Sequence, residues 1–173
     1  TIAAKNGNYK PLLESFKTYQ KDGFEAVDFS AEFDKLDKLF EGVSLIGDYS
    51  EKIKDQVLAQ GEVLSAKLLV YLLHQKNISA KLADTRELIV TDSNFGDAQP
   101  LDAVSKKNII QIFKENKDSI LVITGFIGSN TRHETTTLGR NGSNYTASLI
   151  ANYINAEELQ NFTHVDGIYT ANP

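Results

Sequence analysis

The run Ser119–Gly125, SILVITG, limits what this chain can fold into more than any other stretch. It is short, almost wholly apolar and ended by a glycine. That is how a strand buried on both faces of a parallel sheet reads. The long polar loop Phe126–Gly142 follows it. A helix is predicted from about Ser143 to Asn155, and a strand near Glu158–Thr163. Strand, loop, helix and strand in that order imply an α/β fold, a mainly parallel sheet sandwiched by helices. In such sheets ligands bind beyond the carboxyl ends of the strands. The segment 125–142 occupies that place.

The first half reads as helical. KPLLESFKTYQKDGFEAV carries Leu12, Leu13, Phe16 and Tyr19 at helical spacing. SAEFDKLDKLFEGVSLI opens on Ser30 as an expected N-cap and sets Phe33, Leu36, Leu39 and Phe40 on one side. Residues Tyr49–Gln75 hold the strongest helical pattern; Gly61 interrupts it, giving two helices or one kinked helix. After Asn77 the period changes, with short strands expected at Ala80–Ala83 and Leu88–Thr91. NFGDAQP is a loop. LDAVSKKNIIQIFKEN returns to a helix with Val104, Ile109, Ile112 and Phe113 as its inner face.

Composition narrows the class. The 173 residues are 41% hydrophobic and 24% charged, which suits one soluble globular domain. The net charge of −5 is spread along the chain, which argues against nucleic acid or an anionic membrane as partner. No apolar run approaches the roughly 20 residues of a membrane helix, and no signal peptide is visible, so a cytoplasmic location is expected. Without cysteine there are no disulfides or thiolate metal sites. The sequons at Asn77, Asn141, Asn144 and Asn161 read as chance in such a chain. With no initiator methionine and an abrupt end at TANP, the chain is expected to be a piece of something longer.

The stretch TTTLGRNGSNYTASLIANYI, Thr135–Ile154, places an arginine, two glycines and a row of hydroxyls at the mouth of a helix. Helix N-termini favour anions. Gly139 and Gly142 permit close approach or positive φ, and Arg140 can hold a carboxylate in a two-pronged bond. Thr135, Thr136, Thr137 and Ser143 add hydroxyl donors. The group suits phosphate and carboxylate on one small ligand. The plainer alternative is a solvated loop with a glycine turn and Ser143 as an N-cap. Neither GxxxxGK[ST] nor GxGxxG occurs, which removes an ordinary P-loop and a standard dinucleotide fingerprint.

GFIGSN, the TTTLGRNGS stretch and the closing FTHVDGIYTANP together resemble the aspartate kinases of the amino acid kinase family. GEVLSAKLLVYLL, ADTRELIVTD and FGDAQP are similar to the preceding family blocks, in the family's order. The resemblance runs from about Asp55 to Pro173, and the helical segment 1–54 matches more loosely. The wording GRNGS is most similar to bifunctional aspartokinase/homoserine dehydrogenases.

The resemblance implies transfer of the γ-phosphoryl group of Mg-ATP to the β-carboxylate of L-aspartate, the first step of lysine, threonine and methionine biosynthesis. The acceptor is already a carboxylate, so no general base is needed and catalysis rests on positioning and charge neutralisation. This fits three histidines, His74, His133 and His164, that form no cluster. By similarity Arg140 grips a carboxylate of aspartate, Ser143 assists, and Glu62 pairs with its amino group. Gly125, Gly128, Thr163, Asp166, Gly167 and Tyr169 are implied to face the nucleotide, with magnesium held mainly through the phosphates and no protein metal site. Two positions depart from the family: Asn144 stands where it usually has aspartate, and His164 where it often has aspartate. The family's opening strand and its lysine loop are absent from this chain. An internal portion of a catalytic domain, incomplete at both ends, inactive alone and drawn from a homo-oligomeric parent, is therefore expected. The alternatives are an amino acid kinase acting on glutamate, carbamate or a nucleoside monophosphate, and a non-catalytic regulatory or binding module of the same fold.

Overall fold

A computed structural model describes residues 1–162. Helices dominate the first half, as the apolar spacing requires. They are α1 (Ile2–Lys5), α2 (Lys10–Lys21), α3 (Ser30–Ile46) and α4 (Glu51–Gln75). The second half interleaves β1 (Ala80–Ala83), α5 (Thr85–Leu88), β2 (Val90–Thr91), α6 (Asp102–Glu115), β3 (Ile120–Ile123), β4 (Ile127–Asn130), β5 (Thr135–Thr137) and α7 (Gly142–Ile154).

The 25-residue α4 is one unbroken helix. Gly61 does not split it; one glycine costs about 1 kcal/mol relative to alanine, and the helix packs against α3, β1, β3 and β5. Its start is capped by Ser50, whose hydroxyl accepts from the Ile53 amide at 3.4 Å. By length and composition alone α4 would suffice to cross a membrane, contrary to the reading of its sequence. Its buried positions include Asp55 and Gln60, and it packs against α3, β1, β3 and β5, which makes it a core helix. Ser30 is the first residue of α3 rather than its cap. The Asp28 carboxylate takes over the capping, accepting from the Ser30 amide at 3.0 Å.

Two small sheets carry the second half. β1 and β3 run parallel, Ala80 opposite Ile120. β2 runs parallel to β4, and β4 runs antiparallel to β5. Side chains alternate along the first sheet. Ala80, Leu82 and Val122 meet Ala66, Val70 and Leu73 of α4. Ala83, Leu121 and Ile123 meet Ile109, Ile112 and Ile150 of α6 and α7. Helices thus cover both faces of the run SILVITG, as its composition demands. Its burial is less complete than expected: Val122 is buried but Ile120 is 52% exposed, since β3 pairs only with β1 among the described residues.

Several boundaries differ from expectation. Leu88 closes the short helix α5, whose Asp84 side chain caps it by accepting from the Arg86 amide at 2.9 Å, so only Val90–Thr91 form a strand there. Val104 is 40% exposed, and Ser105 takes its place inward, donating to the Val90 carbonyl at 3.2 Å. The supposed loop 126–142 contains the hairpin of β4 and β5. Its turn is closed by Asn130, whose side-chain oxygen accepts from the amides of Arg132 and Glu134. Glu134 is held by Asn130 and Lys52, which bring its pKa down to about 2. Residues 158–162 form no strand, and Thr163 lies outside the described residues.

Candidate functional site

The carboxyl end of β3 meets α4 and the start of α7. Gly125 is the meeting point. A Cβ there would lie 3.0 Å from both the Cβ and the Oγ of Ser143, tighter than atoms normally approach. Glycine lets the first turn of α7 close onto the strand end. On α4, the Glu62 carboxylate lies close enough to the Gly125 amide to be influenced by it. Burial raises the Glu62 pKa, and that amide works against the rise by favouring the charged form. A half-buried acid, a strand-end amide and a helix N-terminus therefore converge.

The turn carrying Arg140 is built tightly. The Leu138 amide donates to the Phe126 carbonyl at 2.8 Å and the Gly142 amide to the Gly139 carbonyl at 3.1 Å. Gly139 has φ +73°, and Asn141 has φ 61° as the residue preceding α7. A Cβ on Gly142 would come within 2.7 Å of the Phe126 ring. The Phe126 amide is itself held by the Thr146 hydroxyl at 3.1 Å. The backbone is fixed while the Arg140, Ser143 and Asn144 side chains stay exposed. Arg140 enters no ion pair among the described residues. Ser143 is the second residue of α7, so it is not the N-cap, and Asn141 makes no side-chain cap bond. The Gly142 amide is taken by Gly139, while the Ser143 and Asn144 amides that follow it make no hydrogen bond among the described residues and keep their donors for a ligand.

The threonines behave differently from expectation. All three lie buried in β5. The Thr136 hydroxyl bonds Thr91 at 2.8 Å, and the Thr137 hydroxyl donates to Asp55 at 2.8 Å. Those two are engaged in the fold and cannot serve a ligand at the same time. Gly128 is buried within β4, where a Cβ would sit 2.8 Å from the Ile89 carbonyl oxygen; close strand approach accounts for that glycine. Thr163, Asp166, Gly167 and Tyr169 lie outside the described residues.

Beside Gly125 and Ser143 opens a cleft of about 370 Å³, walled by Leu121, Ile123 and Ile150 and reaching Glu158. Of the histidines, His74 bonds the Ala80 carbonyl at 2.8 Å, and His133 sits in the hairpin turn at φ 59°. Neither is near Gly125 in the bonding network. Two groups escaped the sequence reading. One is Asp55, fully buried, whose carboxylate accepts from Gly96 and Thr137. The other is Asp97, whose carboxylate lies over Gly139. A helix position seven residues before Glu62, on the same face, was the one available signal for Asp55.

The chain matches the family model "Amino acid kinase family" over residues 9–173. It is 32% identical over 146 residues to lysine-sensitive aspartokinase 3 of Escherichia coli (strain K12), covering 81% of this chain and 32% of that protein. It is also 32% identical over 170 residues to the chloroplastic bifunctional aspartokinase/homoserine dehydrogenase 2 of Arabidopsis thaliana, covering 94% and 19%. The E. coli aspartokinase III structure in complex with aspartate and ADP (R-state) superposes with a TM-score of 0.79 at 28% identity, over 87% of this chain and 35% of that one. Clostridium acetobutylicum aspartate kinase shares the fold at a TM-score of 0.67 and 24% identity, over 98% and 36%. The chain thus spans about a third or less of each of these proteins.

Proposed function

The chain belongs to the amino acid kinase family, and on that premise we propose that it is a portion of an aspartate kinase catalytic domain. The observation that carries the reading is the convergence at Gly125. The Glu62 acid and the Ser143 helix start meet there, and the rigid Arg140 turn leads directly into that helix. An amino acid with a carboxylate side chain has one cation and two anions. Glu62 supplies the negative partner for its ammonium. Arg140, with Ser143 beside it, supplies the positive and hydrogen-bonding partners for a carboxylate. The solved E. coli neighbour, a complex with aspartate and ADP, supports the same pair of ligands.

In the proposed reaction a β-carboxylate oxygen forms a bond to the γ-phosphorus of ATP. The bond from that phosphorus to the β,γ-bridging oxygen breaks, and ADP leaves with the electron pair. No proton moves, so no histidine is required. Magnesium arrives on the nucleotide phosphates. We place a phosphate at the start of α7, and the cleft beside Gly125 offers apolar walls. Thr163, Asp166, Gly167 and Tyr169 complete the proposed nucleotide side, whereas Gly128 is buried against Ile89 and is not part of it. We place the helical segment 1–54 in the same domain, because Phe29 and Phe33 pack on Leu64 of α4. The proposal includes a larger parent, homo-oligomeric and cytoplasmic, of the bifunctional type suggested by GRNGS.

A second reading, the fold without the chemistry, draws on Asn144, which places a neutral amide in the first turn of α7. Hydroxylamine trapping on the full natural chain separates the two. With Mg-ATP, aspartate, glutamate and carbamate are tested by trapping, and a nucleoside monophosphate, whose product is a phosphoanhydride that hydroxylamine does not trap, by coupled ADP release; hydroxamate from aspartate alone supports the proposal. A folded, ATP-binding protein that traps nothing and releases no ADP with any acceptor supports the second reading.

A further inference from the structure

Asp55 is a fully buried carboxylate on α4, two helical turns before Glu62, and it enters no ion pair among the described residues. One of its oxygens accepts from the Gly96 amide at 2.9 Å and the Thr137 amide at 3.0 Å. The other accepts from the Thr137 hydroxyl at 2.8 Å. A buried carboxylate persists only where its lone pairs are satisfied, and here the donors come from 41 and 82 residues away in the chain.

Their location gives the arrangement meaning. Thr137 is the last residue of β5, three before Arg140. Asp55 takes its amide, and the Ala98 amide donates to its carbonyl at 2.9 Å. Both backbone polar groups of Thr137 are therefore fixed. The same loop, Gly96 to Ala98, sets the Asp97 carboxylate over Gly139. The backbone entering the Arg140 turn is thus hydrogen-bonded to α4 through the Asp55 side chain, beside the Lys52–Glu134 ion pair that ties α4 to the preceding hairpin turn, and α4 carries Glu62. We propose that Asp55 is a positioning residue for the acceptor: it keeps the Arg140 turn in register with Glu62, so that both ends of one small amino acid are met together. This rests on the acceptor-binding reading of Glu62 and Arg140.

Asp55→Asn separates geometry from charge. An amide oxygen in the place of the first carboxylate oxygen accepts both backbone amides, and its NH2 donates to the Thr137 hydroxyl, which turns to accept. Asp55→Ala leaves the Gly96 and Thr137 amides without a partner. In the full natural chain, Asp55→Asn is expected to change the KM for aspartate by no more than about twofold, and Asp55→Ala to raise it about tenfold or more with the KM for Mg-ATP nearly unchanged. Against an Arg140→Ala background the increment from Asp55→Ala should shrink to about twofold or less, the mark of two residues acting through one another. Additive losses, or equal movement of both KM values, overturn the proposal. Amide hydrogen exchange across residues 137–142 reads the same anchoring without any substrate. It should quicken in Asp55→Ala and stay at the wild-type rate in Asp55→Asn. Unchanged exchange in Asp55→Ala overturns the proposal whatever the acceptor is, whereas quickened exchange with no aspartate turnover in the wild type upholds the anchor and refutes the acceptor reading.

Discussion

Replacing Gly139 with alanine tests the construction of the arginine turn. Gly139 has φ +73°, and an added Cβ would lie 2.4 Å from the Asp97 carboxylate oxygen. The first term is conformational: an L-residue with a side chain in the left-handed region costs about 1–2 kcal/mol. The second is steric and smaller, because Asp97 is exposed and its carboxylate can swing into solvent. The turn cannot absorb the strain by relaxing, since Leu138 is bonded to Phe126 and Gly142 abuts the Phe126 ring. At about 2–4 °C per kcal/mol for a domain of this size, Gly139→Ala should lower Tm by about 2–8 °C. Circular dichroism on wild type, Gly139→Ala and Gly139→Ala/Asp97→Ala apportions the two terms. The double variant should recover only the steric share. Asn141→Gly, at a left-handed position of its own, should be neutral or stabilising. A Gly139→Ala variant melting with the wild type, or fully rescued by Asp97→Ala, would refute the reasoning.

Two further outcomes follow from the site and its support. Burial raises the Glu62 pKa above its ordinary 4.5, so the folded state holds that proton more tightly than the unfolded chain. Its contribution to stability is complete below the unfolded value and is lost as pH rises through the folded one. The proposed ammonium contact needs the charged form, so the KM for aspartate should climb as pH falls toward 4.5, and Glu62→Gln should flatten that profile. The Tyr153 hydroxyl donates to Asp102, joining α7 to α6, and both burial and this bond raise its pKa. Tyr153→Phe should cost about 1 kcal/mol, read as a lower urea midpoint at unchanged slope, because exposed Asp102 regains water.

Much of the fold was legible where one physical signal dominated. Apolar spacing located α2, α3, α4, α6 and α7, and the run SILVITG placed β3 between helices. The β4–β5 hairpin escaped notice because its buried side chains are polar. Ser129, Asn130, Thr136 and Thr137 find partners inside the fold in the Arg86 carbonyl, Glu134, Thr91 and Asp55, so no apolar alternation marks the hairpin. Three consecutive β-branched threonines were the available hint. The same error assigned their hydroxyls to a ligand. Glycine reasoning succeeded at Gly139, which has positive φ, and at Gly142, which closely approaches Phe126. Asp55 was illegible because one acid among many helix charges acquires its meaning only from partners brought in by the fold.

The most direct measurement of the central claim compares wild type and Arg140→Ala in aspartate-dependent hydroxamate formation, using the full natural chain with saturating Mg-ATP. Arg140 is exposed and enters no ion pair among the described residues, so its removal should leave Tm and nucleotide affinity in place. The account predicts a loss of about tenfold or more in kcat/KM for aspartate, the scale of a charge-assisted bidentate bond. Undiminished turnover by Arg140→Ala would contradict it, because the turn would then be rigid for a reason other than gripping the acceptor.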